Sequence, residues 1–163
     1  MVLALLPITG TYASILAGFY VYLSVDVIKE RLKVKCLMGD GSQSLIRDIV
    51  IKSKDNSIGS IDIHKYEKMY ASIRAHSNFF EYVPLVLTLS AIMELNQVSP
   101  LFLKSLMGVF TIARIAHNQG IKKDFKGVGR TLGAVTTFGT IAIATVTTFY
   151  LSNKTLIDSY LFA

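Results

Sequence analysis

Four apolar stretches, separated by segments rich in charged residues, dominate the pattern along the chain. The first has no charged residue before Asp26, and the fourth has none from Thr131 to Ser152. Between them lie apolar stretches at residues 79–95 and 100–118. A helix rises ~1.5 Å per residue, so about 20 apolar residues cross a hydrocarbon core of ~30 Å. The pattern therefore predicts four membrane-spanning helices.

The predicted helices cover about residues 2–25, 66–95, 100–118 and 131–152. The second begins before its apolar stretch, because the preceding residues contain good helix formers and no breaker. A loop is predicted over residues 26–65; its middle, residues 47–65, has no sustained period and is expected to hold at most a short strand-like piece. The chain is thus predicted to be one domain, an all-α integral membrane protein built as an antiparallel four-helix bundle.

The composition favours the bilayer as the solvent. Of the 163 residues, 52% are apolar and 17% are charged, whereas a soluble domain carries about 25% charged residues. The net charge of +6 could indicate a nucleic-acid partner, but the charges lie in segments between apolar stretches, which argues against one. The first stretch lacks the basic start and cleavage site of a signal peptide, so we expect a retained helix.

The distribution of basic residues predicts the orientation. Of the 17 lysines and arginines, ten lie in residues 26–74 and five in residues 114–130. Basic loops stay in the cytoplasm by the positive-inside rule. Both termini are therefore expected on the non-cytoplasmic side of a membrane whose identity the sequence does not indicate.

Polar residues at the predicted membrane boundary are the candidate functional groups, because such groups are costly there unless they are paired or functional. Four of them follow one stripe of the second helix: Arg74, Asn78, Glu81 and Tyr82. Two more lie near the matching end of the third helix: Arg114 and His117.

Two interpretations of this cluster are open. In the first, Glu81 and Arg114 form an interhelical ion pair and Asn78 adds a hydrogen bond. In the second, the cluster lines a cytoplasm-facing pocket for a zwitterionic or polyanionic ligand, with arginine clamping a carboxylate and Glu81 accepting an ammonium group.

Two segments resemble a known family. IRAHSNFFEYVPLVL, residues 73–87, resembles the signature of the membrane-associated proteins in eicosanoid and glutathione metabolism, the MAPEG superfamily. ARIAHNQG, residues 113–120, resembles the second segment of that family. The resemblance covers nearly the whole chain except an insertion around residues 47–65. It implies a homotrimer of four-helix subunits with glutathione bound between subunits near the cytoplasmic face.

The resemblance also implies roles for particular residues. Six match the glutathione-contacting positions of the family: Arg74, Asn78, Glu81, Tyr82, Arg114 and His117. Arg130 matches the arginine that activates the thiol, although an arginine at a membrane interface can also be an anchor to lipid phosphates. Arg31 matches one of two arginines ending the first helix, and Leu32 occupies the other position.

Three positions depart from the pattern of the family. His117 and Ile121 stand where the glutathione-using synthases have tyrosine, and Ser77 stands where bacterial relatives commonly have glycine. These departures bear more on catalysis than on the fold.

The implied function is a membrane-bound, glutathione-dependent transferase or peroxidase acting on a lipophilic electrophile or a lipid hydroperoxide. A guanidinium near a thiol of pKa ~8.5 raises the thiolate fraction at neutral pH. The alternative is a non-enzymatic, lipid-binding membrane adaptor of the same family. A channel is disfavoured because the fourth helix is apolar throughout. A metal site is disfavoured too, because His76, His117 and Glu81 lack the spacing of metal ligands.

Overall fold

The structure is a computed structural model, and it describes residues 5–54, 57, 59, 61–123 and 127–161. Within these residues the predicted all-α class is confirmed, and there are six helices: α1 Pro7–Val34, α2 Ser42–Lys54, α3 Ile63–Leu95, α4 Pro100–Lys122, α5 Val128–Ser152 and α6 Lys154–Leu161. Helices α1, α3 and α5 are long and apolar enough to cross a membrane. Among the described helices, α4 has too low a mean hydropathy to be counted with these three, because it carries Lys104, Arg114 and Lys122.

Helix α1 continues past its apolar stretch to Val34, rather than ending near residue 25. Its end is closed by Lys35, which adopts a left-handed conformation with φ of 57°. The backbone N–H of Lys35 donates to the carbonyl of Leu32 at 3.2 Å, and that of Cys36 donates to the carbonyl of Arg31 at 3.1 Å. This pair of bonds satisfies two carbonyls that the helix end would leave unpaired.

The prediction of a loop over residues 26–65 is wrong at two places, because α1 continues to Val34 and Ser42–Lys54 forms α2. Asp40 precedes this helix and accepts hydrogen bonds from the hydroxyl of Ser42 at 2.7 Å and from its backbone N–H at 3.0 Å. Those two bonds stabilise the carboxylate and hold the pKa of Asp40 below its usual value. Residues 55, 56, 58 and 60 of the predicted loop lie outside the described part of the chain.

Tertiary contacts explain why a sequence without a clear period is helical here. Leu45 packs against a buried cluster at the ends of α1 and α3, formed by Val34, Cys36, Tyr66 and Met69. The hydroxyl of Tyr66 also donates to the carboxylate of Asp48 at 2.6 Å. Docking therefore supplies the stability that the local sequence of α2 lacks.

The main core lies where α3 meets α1 and α4. Its buried side chains are Leu16, Leu23, Phe79, Val83, Val86, Met93, Leu103, Met107, Phe110 and Ala144. Because lipid tails are as apolar as these residues, close packing rather than exclusion of water holds such helices together.

Helices α4 and α5 approach each other at two glycines spaced four residues apart, Gly129 and Gly133. A Cβ atom at Gly133 would lie 2.5 Å from the Cβ of His117 and 2.6 Å from the carbonyl oxygen of Ala113. At Gly129 it would lie 2.8 Å from the carbonyl oxygen of Ala116. The absence of side chains at these positions lets the two backbones touch.

The start of α1 is capped by Glu94 from the end of α3. One carboxylate oxygen accepts the N–H of Ile8 at 2.8 Å and the other accepts the N–H of Thr9 at 2.7 Å. We expect Glu94→Ala to lower the free energy of unfolding by about 1–2 kcal/mol, because two donors at a helix start lose their acceptor. Reversible unfolding in mixed detergent micelles measures the change.

Glu67→Ala is the matched control for this measurement. Glu67 is an exposed residue of the same helix, and its carboxylate lies 3.1 Å from the ring of the exposed His64. Its replacement should change the free energy of unfolding by less than about 0.5 kcal/mol. Equal losses in the two variants would contradict the capping role of Glu94.

Candidate functional site

Arg114 forms the centre of a polar group buried between α3, α4 and α5. Its side chain is 1% exposed. The Nη2 atom donates to the Oδ1 atom of Asn78 at 2.7 Å, and the Nη1 atom donates to the Oγ1 atom of Thr137 at 3.2 Å. The guanidinium carbon lies 5.5 Å from the centre of the Tyr82 ring, a cation–π distance. The structure thus brings three predicted site residues together.

The spacing of these residues explains the arrangement. Asn78 and Tyr82 are four residues apart on α3 and therefore share one face. The ring of Tyr82 packs edge-on against Phe138 of α5, with 5.6 Å between centres. The hydroxyl of Thr137 donates to the carbonyl of Gly133 at 2.7 Å, which turns its oxygen lone pairs toward the arginine. Contacts from two neighbouring helices, α3 and α5, therefore fix the guanidinium.

The predicted ion pair between Glu81 and Arg114 is absent from the described residues, so that part of the first interpretation is wrong, whereas its hydrogen bond with Asn78 is confirmed. Glu81 is exposed, and the hydrogen bonds of Arg114 go to uncharged oxygens. The Nε atom of Arg114 is buried and has no acceptor among the described residues. A buried cation with no carboxylate in direct contact is costly, so this position favours an added anion.

The four residues of the predicted stripe divide into two pairs. Asn78 and Tyr82 are partly buried and turn toward Arg114, whereas Arg74 and Glu81 are exposed. The two pairs lie next to each other on α3. At this surface the exposed Arg74 is available to an anion and the exposed Glu81 to a cation. The buried Arg114 lies behind them.

His117 connects α4 to the start of α5. It is 5% exposed, and its Nδ1 atom lies 2.7 Å from the carbonyl oxygen of Arg130. Since a carbonyl oxygen only accepts, the proton of this bond belongs to Nδ1. His117 therefore holds the backbone of Arg130 in place, and the side chain of Arg130 is exposed at the first turn of α5.

Arg31 is not part of the group around Arg114 within the described residues. Its side chain is partly buried near the end of α1, and its Nη1 atom lies 3.5 Å from the carbonyl oxygen of Cys36. That distance makes a weak hydrogen bond at most. The contact is local, within the turn that closes the helix.

Two buried polar residues near Arg114 were not predicted, Thr137 and Asn118. Each is 1% exposed. Thr137 gave little signal, because a threonine in an apolar helix usually bonds only the carbonyl four residues earlier. Asn118 follows the predicted His117 directly, but in the sequence it marks only the end of the third apolar stretch.

Comparison with known proteins identifies the family. The model of the MAPEG family matches residues 9–150, a range that contains every residue of the site. No curated protein and no solved structure matches the chain significantly. The matched family is associated with glutathione and with membrane lipids. Because the match covers most of the sequence, the chain belongs to the MAPEG family.

Proposed function

We propose that the protein is a membrane-bound, glutathione-dependent transferase or peroxidase acting on lipophilic electrophiles. The observation that carries this proposal is the buried guanidinium of Arg114, which is bonded to two uncharged oxygens and whose Nε has no partner among the described residues. A fixed guanidinium in a low-dielectric site favours carboxylate ligands. Glutathione carries two carboxylates and one ammonium group, so it fits a site with two arginines and a glutamate.

We propose roles for the site residues from their charges and positions. Arg114 and the exposed Arg74 bind the carboxylates, and the exposed Glu81 accepts the ammonium group. Asn78 and Tyr82 orient the ligand and the guanidinium. These assignments rest on charge and placement together with membership of the family.

The proposed assembly is a homotrimer of subunits that each span the membrane four times. Helix α4 has 23 residues, which reach ~34 Å and are long enough for a fourth span. Arg74 and Glu81 are exposed on one chain, which supports a site completed by a neighbouring subunit. The basic segments support a site at the cytoplasmic face, with both termini on the other side.

Arg130 is the proposed catalytic residue, with Arg31 as a second cation at the end of α1. The guanidinium of Arg130 lies at the start of α5, where helix dipole and side chain both favour a thiolate. The thiol of glutathione gives its proton to water, and its sulfur attacks an electrophilic carbon of the lipophilic substrate. A carbon–sulfur bond forms while a halide leaves or, for an unsaturated compound, while water protonates the neighbouring carbon.

The peroxidase reaction uses the same thiolate. Its sulfur attacks the terminal oxygen of a lipid hydroperoxide, the oxygen–oxygen bond breaks, and the lipid leaves as an alcohol after protonation by water. A second glutathione then reduces the resulting sulfenic acid, which yields glutathione disulfide and water.

Titration of reduced glutathione into the detergent-solubilised protein, followed by thiolate ultraviolet absorbance, tests the proposal. We expect Arg74→Ala to weaken binding about tenfold, equivalent to ~1.4 kcal/mol. Arg130→Ala should keep binding but lose the thiolate signal. Lys154→Ala, at an exposed position beyond α5, is the control and should match the parent protein. Absence of binding by the parent protein would sink the proposal.

A second candidate function is a lipid-binding adaptor without enzymatic activity. The observation that favours it is Ile121, which is 5% exposed and packs against Ala71 and Ala75. No hydroxyl is available at this position, where the glutathione-using synthases have tyrosine. Glutathione binding without turnover of either a halogenated electrophile or a lipid hydroperoxide would favour the adaptor.

A further inference from the structure

A crevice between α1 and α4 contains a buried amide that the proposed glutathione site does not use. The crevice has a volume of about 290 Å³. Its lining residues are Phe19, Tyr22, Leu23, Asn118, Gln119 and Lys122. Asn118 lies one helical turn beyond Arg114 on α4.

Asn118 is 1% exposed, and neither its Nδ2 nor its Oδ1 atom has a hydrogen-bond partner in the described part of the chain. Leaving such a buried group unpaired costs about 1–3 kcal/mol. The side-chain amide offers two donors and one acceptor site of two lone pairs. A ligand complementary to this amide therefore presents a hydrogen-bond donor and an acceptor close together.

Charges at the end of the crevice indicate what kind of head group fits. The Nζ atom of Lys122 lies 2.7 Å from the Oδ2 atom of Asp26, so the lysine is already neutralised. The same Nζ atom lies 5.1 Å from the centre of the Tyr22 ring. With its cation paired in this way, the crevice favours an uncharged polar head over an anionic one.

The depth and the walls of the crevice indicate a lipid. Asp26 is the first charged residue after the apolar stretch of α1, and Leu23 lies one helical turn further in, ~4.5 Å along the axis. The crevice therefore lies just inside the level where hydrocarbon meets head groups. Phe19 and Leu23 supply apolar walls, and the volume is near the lower limit of ~300 Å³ for ligand pockets.

We infer that this crevice binds the uncharged, hydroxyl-bearing head of a single-chain membrane lipid of the monoacylglycerol class. The hydroxyl and ester groups of the head satisfy the amide of Asn118, and the acyl chain passes Phe19 and Leu23 into the bilayer. The site is separate from the proposed glutathione site, and its occupation does not depend on catalysis.

The test uses tryptophan fluorescence, because the chain contains no tryptophan. The full-length Tyr22→Trp protein in nanodiscs is titrated with a monoacylglycerol brominated near its ester. We expect saturable quenching. The Tyr150→Trp protein, labelled at an exposed position of α5, measures non-specific quenching and should not saturate. Equal, unsaturable quenching in both proteins would overturn the inference.

Variants at Asn118 identify the residue responsible. On the Tyr22→Trp background, Asn118→Leu should weaken the binding of the lipid at least tenfold. Asn96→Leu, which lies in the exposed turn before α4, should leave the affinity for the lipid unchanged. The lipid-free Asn118→Leu protein should unfold at the same or a higher temperature, because the unpaired amide is gone. Unchanged lipid affinity would contradict the role of Asn118.

A comparison of ligands keeps the inference testable should Asn118→Leu fail to fold. The methyl ester with the same brominated chain accepts hydrogen bonds but donates none. We expect the Tyr22→Trp protein to bind it at least tenfold more weakly than the monoacylglycerol. Equal affinities would show that only the chain is recognised, and tighter binding of the brominated fatty acid anion would show that the cation of Lys122 is available; either result overturns the assignment.

Discussion

Gly133→Ala is expected to lower the free energy of unfolding by about 3 kcal/mol, the upper range for overpacking a tight interface. The added Cβ would meet the Cβ of His117 at 2.5 Å and the carbonyl oxygen of Ala113 at 2.6 Å. One of these neighbours is backbone, so the clash can be relieved only if α4 and α5 move apart. Equilibrium unfolding in detergent, followed by circular dichroism, measures the loss.

Gly139→Ala is the matched control, since it makes the same chemical change in the same helix. A Cβ at Gly139 would meet no atom of the neighbouring described residues within 4 Å. Alanine at this position should leave the stability unchanged or raise it by up to ~1 kcal/mol through its higher helix propensity. Similar losses in both variants would mean that the contact between α4 and α5 is not the cause.

Asn78→Leu is expected to lower the free energy of unfolding by about 3 kcal/mol, because Arg114 loses its closest acceptor while its charge stays buried. Arg114→Met removes the charge together with the need for that acceptor. The double variant should therefore be at least as stable as Asn78→Leu alone, with a coupling energy of about 2 kcal/mol. Unfolding of the four proteins of this cycle provides the measurement.

Measuring glutathione binding by the same proteins separates the effect of each substitution on stability from its effect on function. Arg114→Met should weaken the binding of glutathione about 100-fold, equivalent to ~2.7 kcal/mol, even though the variant folds. Strictly additive stability effects in the cycle would contradict the buried pairing. Undiminished glutathione affinity in Arg114→Met would contradict the role of this arginine in the proposed site.

The hydrogen bond between Arg114 and Asn78 shows which part of the site the sequence predicts. Helical spacing and the cost of polar groups at a membrane boundary select Asn78, Tyr82 and Arg114 as neighbours, and the structure joins them. The same spacing does not decide which acceptor Arg114 takes. Glu81 is three residues beyond Asn78, about 60° away around the helix, and this rotation leaves it exposed.

Other features depend on contacts that no local pattern contains. Helix α2 is stabilised by Leu45 and Asp48 docking on residues that are distant in the sequence, among them Tyr66. Thr137 becomes a site residue only because α4 and α5 meet closely enough for its hydroxyl to reach Arg114. Periodicity describes one helix at a time, so both features require the packing of several helices.

The paired glycines of α5 also constrain how copies of the chain can assemble. Gly129 and Gly133 are occupied by contacts with α4 of the same chain, so a neighbouring molecule cannot use them. In the proposed homotrimer, contacts between copies through α5 would fall to its exposed, bulkier side chains, such as Leu132 and Val135. Larger side chains keep helix axes farther apart than glycine contacts do. In the proposed homotrimer, the gaps between copies would then be wider than the gaps between helices of one copy, and would leave amphiphilic molecules a lateral path from the bilayer.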